Sequence, residues 1–267
     1  MNRFKNGISL ALILLGIMSS CFACVCSNSH TEEKSEYGVF LNIDNSDIDR
    51  LESYKTIVID AELFSKDDIS ELHEDGTCVY TYLNVGSVEE FRDYFEEFQD
   101  ITLGEYDNWK DEQWVDVSDL RWKKHIYGLA QEYIEKGIDG FFIDNCDVYF
   151  QYKTEQIYIS LTEILQNLME MNKKIIINGG DEFVKEYYQQ NGEISSIMTG
   201  VNQEEVITCH DADATEYYEE YLALCKGAGI EVFTIEYTTD AKEIEQIRSF
   251  CEKNRYKYYI SDSIDLD

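Results

Sequence analysis

The fold is decided by the stretch Gly140-Phe141-Phe142-Ile143-Asp144-Asn145-Cys146-Asp147. It begins with a short apolar run, typical of a strand buried on both faces of a parallel sheet, and polar residues follow at once. Seven other apolar or β-branched runs occur along the chain, with helical patterns between them. The eight predicted strands are Gly38–Ile43, Thr56–Asp60, Cys78–Asn84, Gly140–Asp144, Lys174–Asn178, Ser196–Val201, Glu231–Glu236 and Tyr256–Ser261.

Eight strands that alternate with helices predict an α/β fold, a (β/α)8 TIM-like barrel. The chain ends six residues after the last predicted strand, so we expect it to lack a full final helix. Ser65 and Asp240 are expected to begin helices, and Ser87 with Glu90 has the pattern of a capping box. Residues 100–120 are predicted to form an insertion near the barrel mouth, with a short extra strand at 114–117.

The N-terminus has the pattern of a secretory signal. Two basic residues, Arg3 and Lys5, precede an apolar run over Ile8–Met18, and small residues lead to Cys21. This pattern predicts a signal peptide over residues 1–20 and an extracellular protein. The sequence before Cys21 resembles a lipobox, which favours lipidation of Cys21 and a cell-surface lipoprotein. A soluble secreted product cut nearby remains the alternative.

The predicted domains follow from the signal. Residues 21–36 are rich in Ser, Thr, Glu and Lys and are expected to form a flexible tether. Residues 37–267 contain neither a linker nor a repeat and are expected to form one catalytic barrel. Contact with a membrane is expected only through the lipid anchor.

The charge balance limits the partners. The chain has 54 acidic residues and 22 Lys and Arg, a formal net charge of −32. Nucleic acid and anionic membrane surfaces are therefore excluded as expected partners. The charge fits either a solvated acidic surface or a cationic substrate. We expect no cofactor, and the four histidines lack the spacing of a zinc site.

The ends of the predicted strands are where a barrel of this class builds its active site. Every predicted strand ends in carboxylates or amides. Converging carboxylates repel one another, so a cationic ligand or an acid–base reaction would compensate for their repulsion. Glycoside hydrolysis needs two carboxyl groups that flank the sugar bond, and Asp144 and Glu204 are the best placed. A calcium ion shared by Asp144 and Asp147 is the alternative.

Six motifs resemble those of a known family. They are Tyr37–Phe40, Val58–Glu62, Tyr82–Ser87, Trp114–Val117, Gly137–Asp147 and Ile177–Gly180. Together they look like the endo-α-1,4-polygalactosaminidase family of glycoside hydrolases, over the chain from about Tyr37 to its end. The resemblance implies a TIM-like barrel that cleaves α-1,4-linked galactosamine polymers, which are polycationic when deacetylated. It places the catalytic aspartate at Asp144 and the catalytic glutamate at Glu204.

The predicted function is therefore a secreted or surface-anchored hydrolase of a cationic galactosamine polysaccharide. Asp144 is expected to act as nucleophile or base and Glu204 as proton donor. The alternatives are a non-catalytic carbohydrate-binding surface lipoprotein and a barrel hydrolase of another glycan. The predicted substrate-binding residues are Asp60, Asn84, Asp147, Asn178 and Glu236 for hydroxyl and amino groups, and Tyr82, Trp109, Trp114 and Tyr237 for stacking on sugar faces.

Overall fold

The computed structural model describes residues 34–106 and 109–267. The predicted signal peptide, the lipidation site Cys21 and the tether up to residue 33 lie outside the described residues. Ser35 already pairs with the barrel: its N–H donates to Ser53 O at 2.9 Å, and its carbonyl accepts from Lys55 N at 2.7 Å. The folded domain therefore begins ahead of the expected boundary at Tyr37.

Eight parallel strands form a nearly closed barrel, and the predicted TIM-like fold is confirmed. The first and last strands lie side by side, and Leu41 N donates to Leu266 O at 2.9 Å next to them. In order around the barrel the strands are β1 (Gly38–Phe40), β2 (Thr56–Ile59), β3 (Cys78–Asn84), β7 (Gly140–Asp144), β8 (Lys174–Asn178), β9 (Gly200–Glu204), β10 (Glu231–Tyr237) and β11 (Lys257–Ser261).

Helices connect successive strands and cover the barrel. Ser65 begins α2 with a capping box that it forms with Asp68, and Asp240 begins α9 by accepting from two backbone N–H groups, as predicted. No helix follows β11 in residues 262–267. The helices are α1 (Ile48–Leu51), α2 (Lys66–Glu74), α3 (Phe95–Phe98), α4 (Leu120–Lys136), α5 (Val148–Gln151), α6 (Glu155–Glu170), α7 (Asp181–Asn191), α8 (Ala212–Gly227) and α9 (Ala241–Asn254).

The hydrophobic core fills the barrel and the layer between strands and helices. The apolar residues of β2, β7 and β8 are buried, because these strands have helices on one side and the barrel interior on the other. None of the helices within residues 34–106 and 109–267 combines the length and apolarity needed to cross a bilayer.

An insertion between β3 and α4 forms a separate antiparallel sheet. Its strands are β4 (Ser87–Glu89), β5 (Thr102–Glu105) and β6 (Glu112–Val115), in the order β4-β6-β5. The prediction of a helix at Ser87 is wrong, because the Ser87 hydroxyl donates to Asn84 and to Glu112 instead of capping a helix. The predicted extra strand exists but begins two residues earlier than expected.

The sixth barrel strand lies further along the chain than predicted. Residues 195–197 form a turn, in which Ser196 N donates to Glu193 Oε2 at 3.0 Å, and β9 begins at Gly200. Asn202 and Glu204 are consequently part of the strand itself. Because alternate residues of a strand share a face, their side chains lie on the same side of the sheet.

Candidate active site

Three neighbouring strands bring the predicted catalytic pair together. Asp144 ends β7 and Glu204 ends β9, and β8, which lies between them, ends at Asn178. The Asn178 amide donates through the same nitrogen to Asp144 Oδ1 at 3.0 Å and to Glu204 Oε1 at 2.8 Å. The two acceptor oxygens are therefore no further apart than the sum of these distances, and both carboxyls face one groove.

The outer oxygens of the pair also accept hydrogen bonds. The Tyr82 hydroxyl donates to Asp144 Oδ2 at 3.1 Å, and the Tyr237 hydroxyl donates to Glu204 Oε2 at 2.5 Å. Each carboxyl thus has one tyrosine donor and shares one amide donor. Hydrogen bonds to an ionised carboxylate are stronger than neutral ones, so this arrangement partly offsets the repulsion between the two groups. Because of these hydrogen bonds, Tyr82 and Tyr237 lie beside the same groove.

The electrostatics of the groove favour retention of a proton. Removal from bulk water, followed by the charges of Glu204 and Glu112, raises the pKa of Asp144 to about 8, against the lowering effect of Asn178. Near neutral pH Asp144 therefore retains its proton, and acid–base chemistry requires a carboxyl that can hold one.

A third carboxyl, Asp147, lies beside the pair. Burial and the charge of Asp181 raise its pKa to about 6. Gly180 N donates to its Oδ2 at 3.1 Å, and a Cβ at Gly179 would lie 3.0 Å from the same oxygen. Gly179 and Gly180 both have positive φ, which glycine adopts without strain, so this loop can close over Asp147.

The donors around Asp144 and Asp147 bear on the calcium alternative. Both oxygens of Asp144 and one oxygen of Asp147 accept hydrogen bonds from amide or hydroxyl groups. A cation bound to these oxygens would compete with those donors. Within the described part of the chain, no group of three or more His, Cys, Asp and Glu residues is arranged to hold a metal ion. The geometry therefore fits proton chemistry better than ion coordination.

The insertion contributes a buried carboxylate, Glu112, that sequence reasoning missed. Its Oε1 accepts from Asn84 Nδ2 at 2.9 Å, from Asn145 Nδ2 at 2.8 Å and from the Ser87 hydroxyl. These bonds attach β6 to the ends of β3 and β7. The amide nitrogen of Asn84, which was expected to bind substrate, is therefore used inside the protein. A Cβ at Gly86 would lie 1.8 Å from Asn145 O, so only glycine permits this close approach.

The insertion also presents an aromatic pair. Tyr106 stacks on Trp114, with ring centroids 4.3 Å apart and an angle of 23° between the planes. Trp114 is only 5% exposed, so the ring that a sugar could reach is that of Tyr106, which the sequence analysis did not select. Burial, with the charges of Asp144 and Asp147, raises the pKa of Tyr106. Trp109, in contrast, is 47% exposed.

Asp60 lies in a separate charge cluster at the barrel rim. Arg92 Nη1 contacts Asp60 Oδ2 at 2.8 Å and Glu62 Oε2 at 2.5 Å, and its Nε lies 3.6 Å from Glu89 Oε2. The other Asp60 oxygen accepts from Glu62 N at 3.0 Å. A cation from the protein therefore already balances Asp60, which no sequence pattern signalled.

Strand alternation separates Glu236 from Tyr237, both of which were expected to contact substrate. Tyr237 faces the barrel interior and binds Glu204, whereas Glu236 faces the helices. Glu236 is fully buried and accepts from Ile207 N and from the N–H and hydroxyl of Thr208. It thus fixes the loop that follows Glu204 and supports the site from behind.

A parallel barrel with two carboxyls from separate strands in one groove has the architecture of a glycoside hydrolase. The family model of glycoside-hydrolase family GH114 matches residues 25–264, and the chain belongs to that family. The resemblance predicted from the six motifs is confirmed, and the protein is a glycoside hydrolase.

Solved structures share the fold at low sequence identity. The glycoside hydrolase domain of PelA from Pseudomonas aeruginosa matches with a TM-score of 0.70 and 19% identity, over 87% of this chain and 96% of that chain. Ega3 from Aspergillus fumigatus, in complex with galactosamine, matches with a TM-score of 0.69 and 18% identity, over 88% of this chain and 93% of that chain. At these identities the matches establish the fold alone.

Two similar sequences belong to uncharacterised proteins. An uncharacterised protein of Methanocaldococcus jannaschii is 24% identical over 82% of this chain and 72% of its own length. An uncharacterised protein of Thermotoga maritima is 22% identical over 95% of this chain and 87% of its own length.

The raised pKa of Asp144 predicts how stability depends on pH. The folded protein binds this proton more tightly than the unfolded chain, whose carboxyl has the ordinary value of 3.8. The contribution of the group to stability is therefore full below about pH 4 and is lost as pH rises towards 8. We expect Asp144→Asn to increase the free energy of unfolding at pH 8 and to change it much less at pH 4, as measured by urea denaturation.

Glu71→Gln is the matched control, because it removes one carboxylate from the exposed face of α2. Its effect on stability should be small at both pH values. Equal effects of Asp144→Asn at pH 4 and pH 8 would contradict a raised pKa at this position.

Proposed function

We propose that the protein is an endo-acting hydrolase of α-1,4-linked galactosamine polymers that carry free amino groups. The observation that carries this proposal is the Asp144–Glu204 pair, which Asn178 holds in one groove. The chemistry of glycoside hydrolysis requires two such carboxyls. The galactosamine bound to Ega3 supports the sugar type, because that protein shares the fold.

The separation of the pair supports a two-step mechanism with a covalent intermediate. Retaining enzymes have carboxyls about 5–5.5 Å apart and inverting enzymes about 6.5–9.5 Å. The two Asn178 hydrogen bonds, at 3.0 and 2.8 Å, keep the facing oxygens of the pair within the sum of these distances, which favours the narrower spacing. A water molecule for direct attack on the sugar would need the wider spacing. We therefore assign Asp144 as the nucleophile and Glu204 as the acid and then the base.

In the first step, an Asp144 oxygen forms a bond to the anomeric carbon while the bond to the leaving oxygen breaks. Glu204 gives its proton to that oxygen and becomes a carboxylate. In the second step, Glu204 takes a proton from water, the water oxygen attacks the anomeric carbon, and the bond to Asp144 breaks. Both carboxyls thereby return to their starting states.

The mechanism needs a proton on Glu204 and a negative charge on Asp144 before the first step. The donors Tyr82 and Asn178 already favour the charged form of Asp144, and burial opposes it. An ammonium group bound near Asp144 would add an attractive charge and move the proton towards Glu204. Binding of a cationic sugar would in this way favour the reactive protonation states, and Asp147, whose charge also acts on Asp144, is a further carboxyl that could receive its amino group.

The first experiment compares substrates. Purified protein is incubated with de-N-acetylated and fully N-acetylated α-1,4-galactosamine oligomers, and new reducing ends are measured. We expect cleavage of oligomers with free amino groups and a decline in kcat/KM as acetylation rises. Asp144→Asn and Glu204→Gln should each lose about 10³-fold or more in kcat, because each removes a reacting group.

The controls separate this proposal from its competitors. Glu205→Gln, which changes the neighbouring carboxyl, should keep most of the activity. Binding of the oligomers without new reducing ends would support a carbohydrate-binding lipoprotein instead. Preferential cleavage of acetylated or neutral glycans would support a hydrolase of another substrate. Near-normal activity of both catalytic variants would overturn the assignment of Asp144 and Glu204.

The stereochemistry is a second prediction. A covalent intermediate on Asp144 inverts the anomeric carbon twice, so the first product should be the α-anomer. Proton NMR of the anomeric signals during the first minutes of hydrolysis measures this, before mutarotation mixes the anomers. A β-anomer as the first product would contradict the nucleophilic role of Asp144 and leave hydrolysis itself in place.

We also propose that the protein is exported and attached to the cell surface through a lipid on Cys21. The support is the sequence alone, a basic start, an apolar run and the lipobox-like residues before Cys21. When the full chain is expressed in a bacterial host with a lipoprotein pathway, radioactive palmitate should label it and Cys21→Ser should abolish the label. An unlabelled protein in the medium would favour the soluble secreted form.

A further inference from the structure

A line of three polar side chains lies behind the catalytic pair, inside the barrel. The Tyr37 hydroxyl donates to Asn202 Oδ1 at 3.3 Å, and Asn202 Nδ2 donates to Asn178 Oδ1 at 2.7 Å. Asn178 Nδ2 then reaches both catalytic carboxyls. Tyr37 directly precedes β1, and Asn202 and Asn178 belong to β9 and β8, so the line crosses the barrel interior.

The donor and acceptor groups favour one orientation of this line. The NH2 group of Asn178 faces Asp144 and Glu204 and donates to both, and an ionised carboxylate can only accept. Its oxygen then needs a donor, which Asn202 supplies, and the oxygen of Asn202 needs a donor in turn. Tyr37 provides it, because burial and the charge of Glu204 raise the pKa of this tyrosine, and its hydroxyl keeps its proton. Tyr37, at the end of the line, thus fixes the orientation of the Asn202 and Asn178 amides.

The location of the line argues against a purely structural role. Asn202 is 0% exposed and Tyr37 is 1% exposed, among apolar side chains such as Phe233, whose ring lies 4.7 Å from that of Tyr37. A buried amide lowers stability unless it is fully hydrogen-bonded, and apolar residues of similar volume would fill this layer at lower cost. A polar line that ends on the catalytic pair instead suits the control of that pair.

We propose that Asn202, fixed by Tyr37, is a positioning residue that holds the NH2 group of Asn178 towards both catalytic carboxyls. This inference rests on the proposed function of Asp144 and Glu204 and acts through Asn178, without contact with substrate. If the Asn178 amide turned over, its oxygen would face two acceptor oxygens. The carboxyls would then separate or hold an additional proton, and neither state is competent for the first step.

The pH readout depends on the charged groups that surround Asp144. These groups are Glu204, Glu112 and Asp147, with the tyrosine hydroxyls of Tyr82, Tyr106 and Tyr237. Asn202→Leu and Tyr37→Phe add no charge and alter none of these groups, so in these two variants a change in the titration of Asp144 reports on the Asn178 donor, which lowers its pKa. Asn202→Asp adds a carboxyl, and its pH profile is compared with theirs.

The experiment compares Asn202→Leu, Asn202→Asp and Tyr37→Phe with the wild-type chain on the best substrate of the panel. Asn202→Leu removes the hydrogen bonds, whereas Asn202→Asp keeps the volume but replaces the donor by an acceptor. We expect kcat to fall about 10–100-fold in both, the usual range when a supporting partner is lost, with KM within about twofold. The acidic limb of the kcat profile, where Asp144 must lose its proton, should move to higher pH.

Tyr37→Phe is the mild variant, since it keeps the ring and frees only the Asn202 amide to turn. It should shift the acidic limb in the same direction by a smaller amount. Tyr187→Phe is the matched control, because it removes a buried tyrosine hydroxyl that binds Ser196, away from the pair. The control should keep wild-type kcat and its pH profile, and circular dichroism identifies any variant that is not folded.

The outcomes distinguish this inference from the function on which it rests. Wild-type cleavage, together with folded variants that keep wild-type kcat and pH profile, would overturn the positioning role and leave the hydrolase in place. Absence of wild-type cleavage on every substrate would overturn the proposed function. In that case carbon-13 NMR titration of Asp144 still tests the line: an upward shift of its pKa in Asn202→Leu supports it, and an unchanged pKa overturns it.

Discussion

The site depends on the repulsion between two carboxyls that share one buried groove. None of the salt bridges within residues 34–106 and 109–267 includes Asp144 or Glu204. Neutral donors compensate instead: one shared amide and two tyrosine hydroxyls. Such donors lower the energy of the charged forms without neutralising them, so the pair keeps both its charge and its affinity for a proton. Arg92, whose guanidinium carbon lies 6.0 Å from the centre of the Tyr82 ring, is engaged by the rim carboxylates.

The sequence predicted the barrel and the proximity of Asp144 and Glu204 because both follow from simple patterns. Strands β3, β7 and β8 have the predicted bounds, since each contains an apolar run and ends in a polar residue, which is Asn84, Asp144 or Asn178. The pair follows from the rule that strand ends converge at one edge of a parallel barrel. The β9 strand was misplaced because Ile197 and Met198 are apolar and buried but lie in or directly after a turn.

The remaining site residues depend on pairings that a single sequence does not contain. Nothing in the spacing of Arg92 indicates that it neutralises Asp60, and nothing around Glu112 indicates that it attaches the insertion to the barrel. The accessible ring beside the groove is that of Tyr106 and not that of the predicted Trp114, and this depends on how the insertion sheet folds back. That Glu236 and Tyr237 point to opposite faces of β10, in contrast, follows from their adjacent positions in one strand.

The raised pKa values of Asp144 and Asp147 link stability to function. A carboxyl held away from its preferred ionisation state makes the folded protein less stable near neutral pH than it would be with an amide in its place. A cationic ligand in the groove reverses this penalty, because its charge favours the ionised forms. The free energy gained is then specific to positively charged substrates, since a neutral sugar leaves the repulsion in place. Under the proposed function, the acidic groove therefore favours a positively charged ligand over a neutral one, because only the charged ligand offsets the repulsion between its carboxyls.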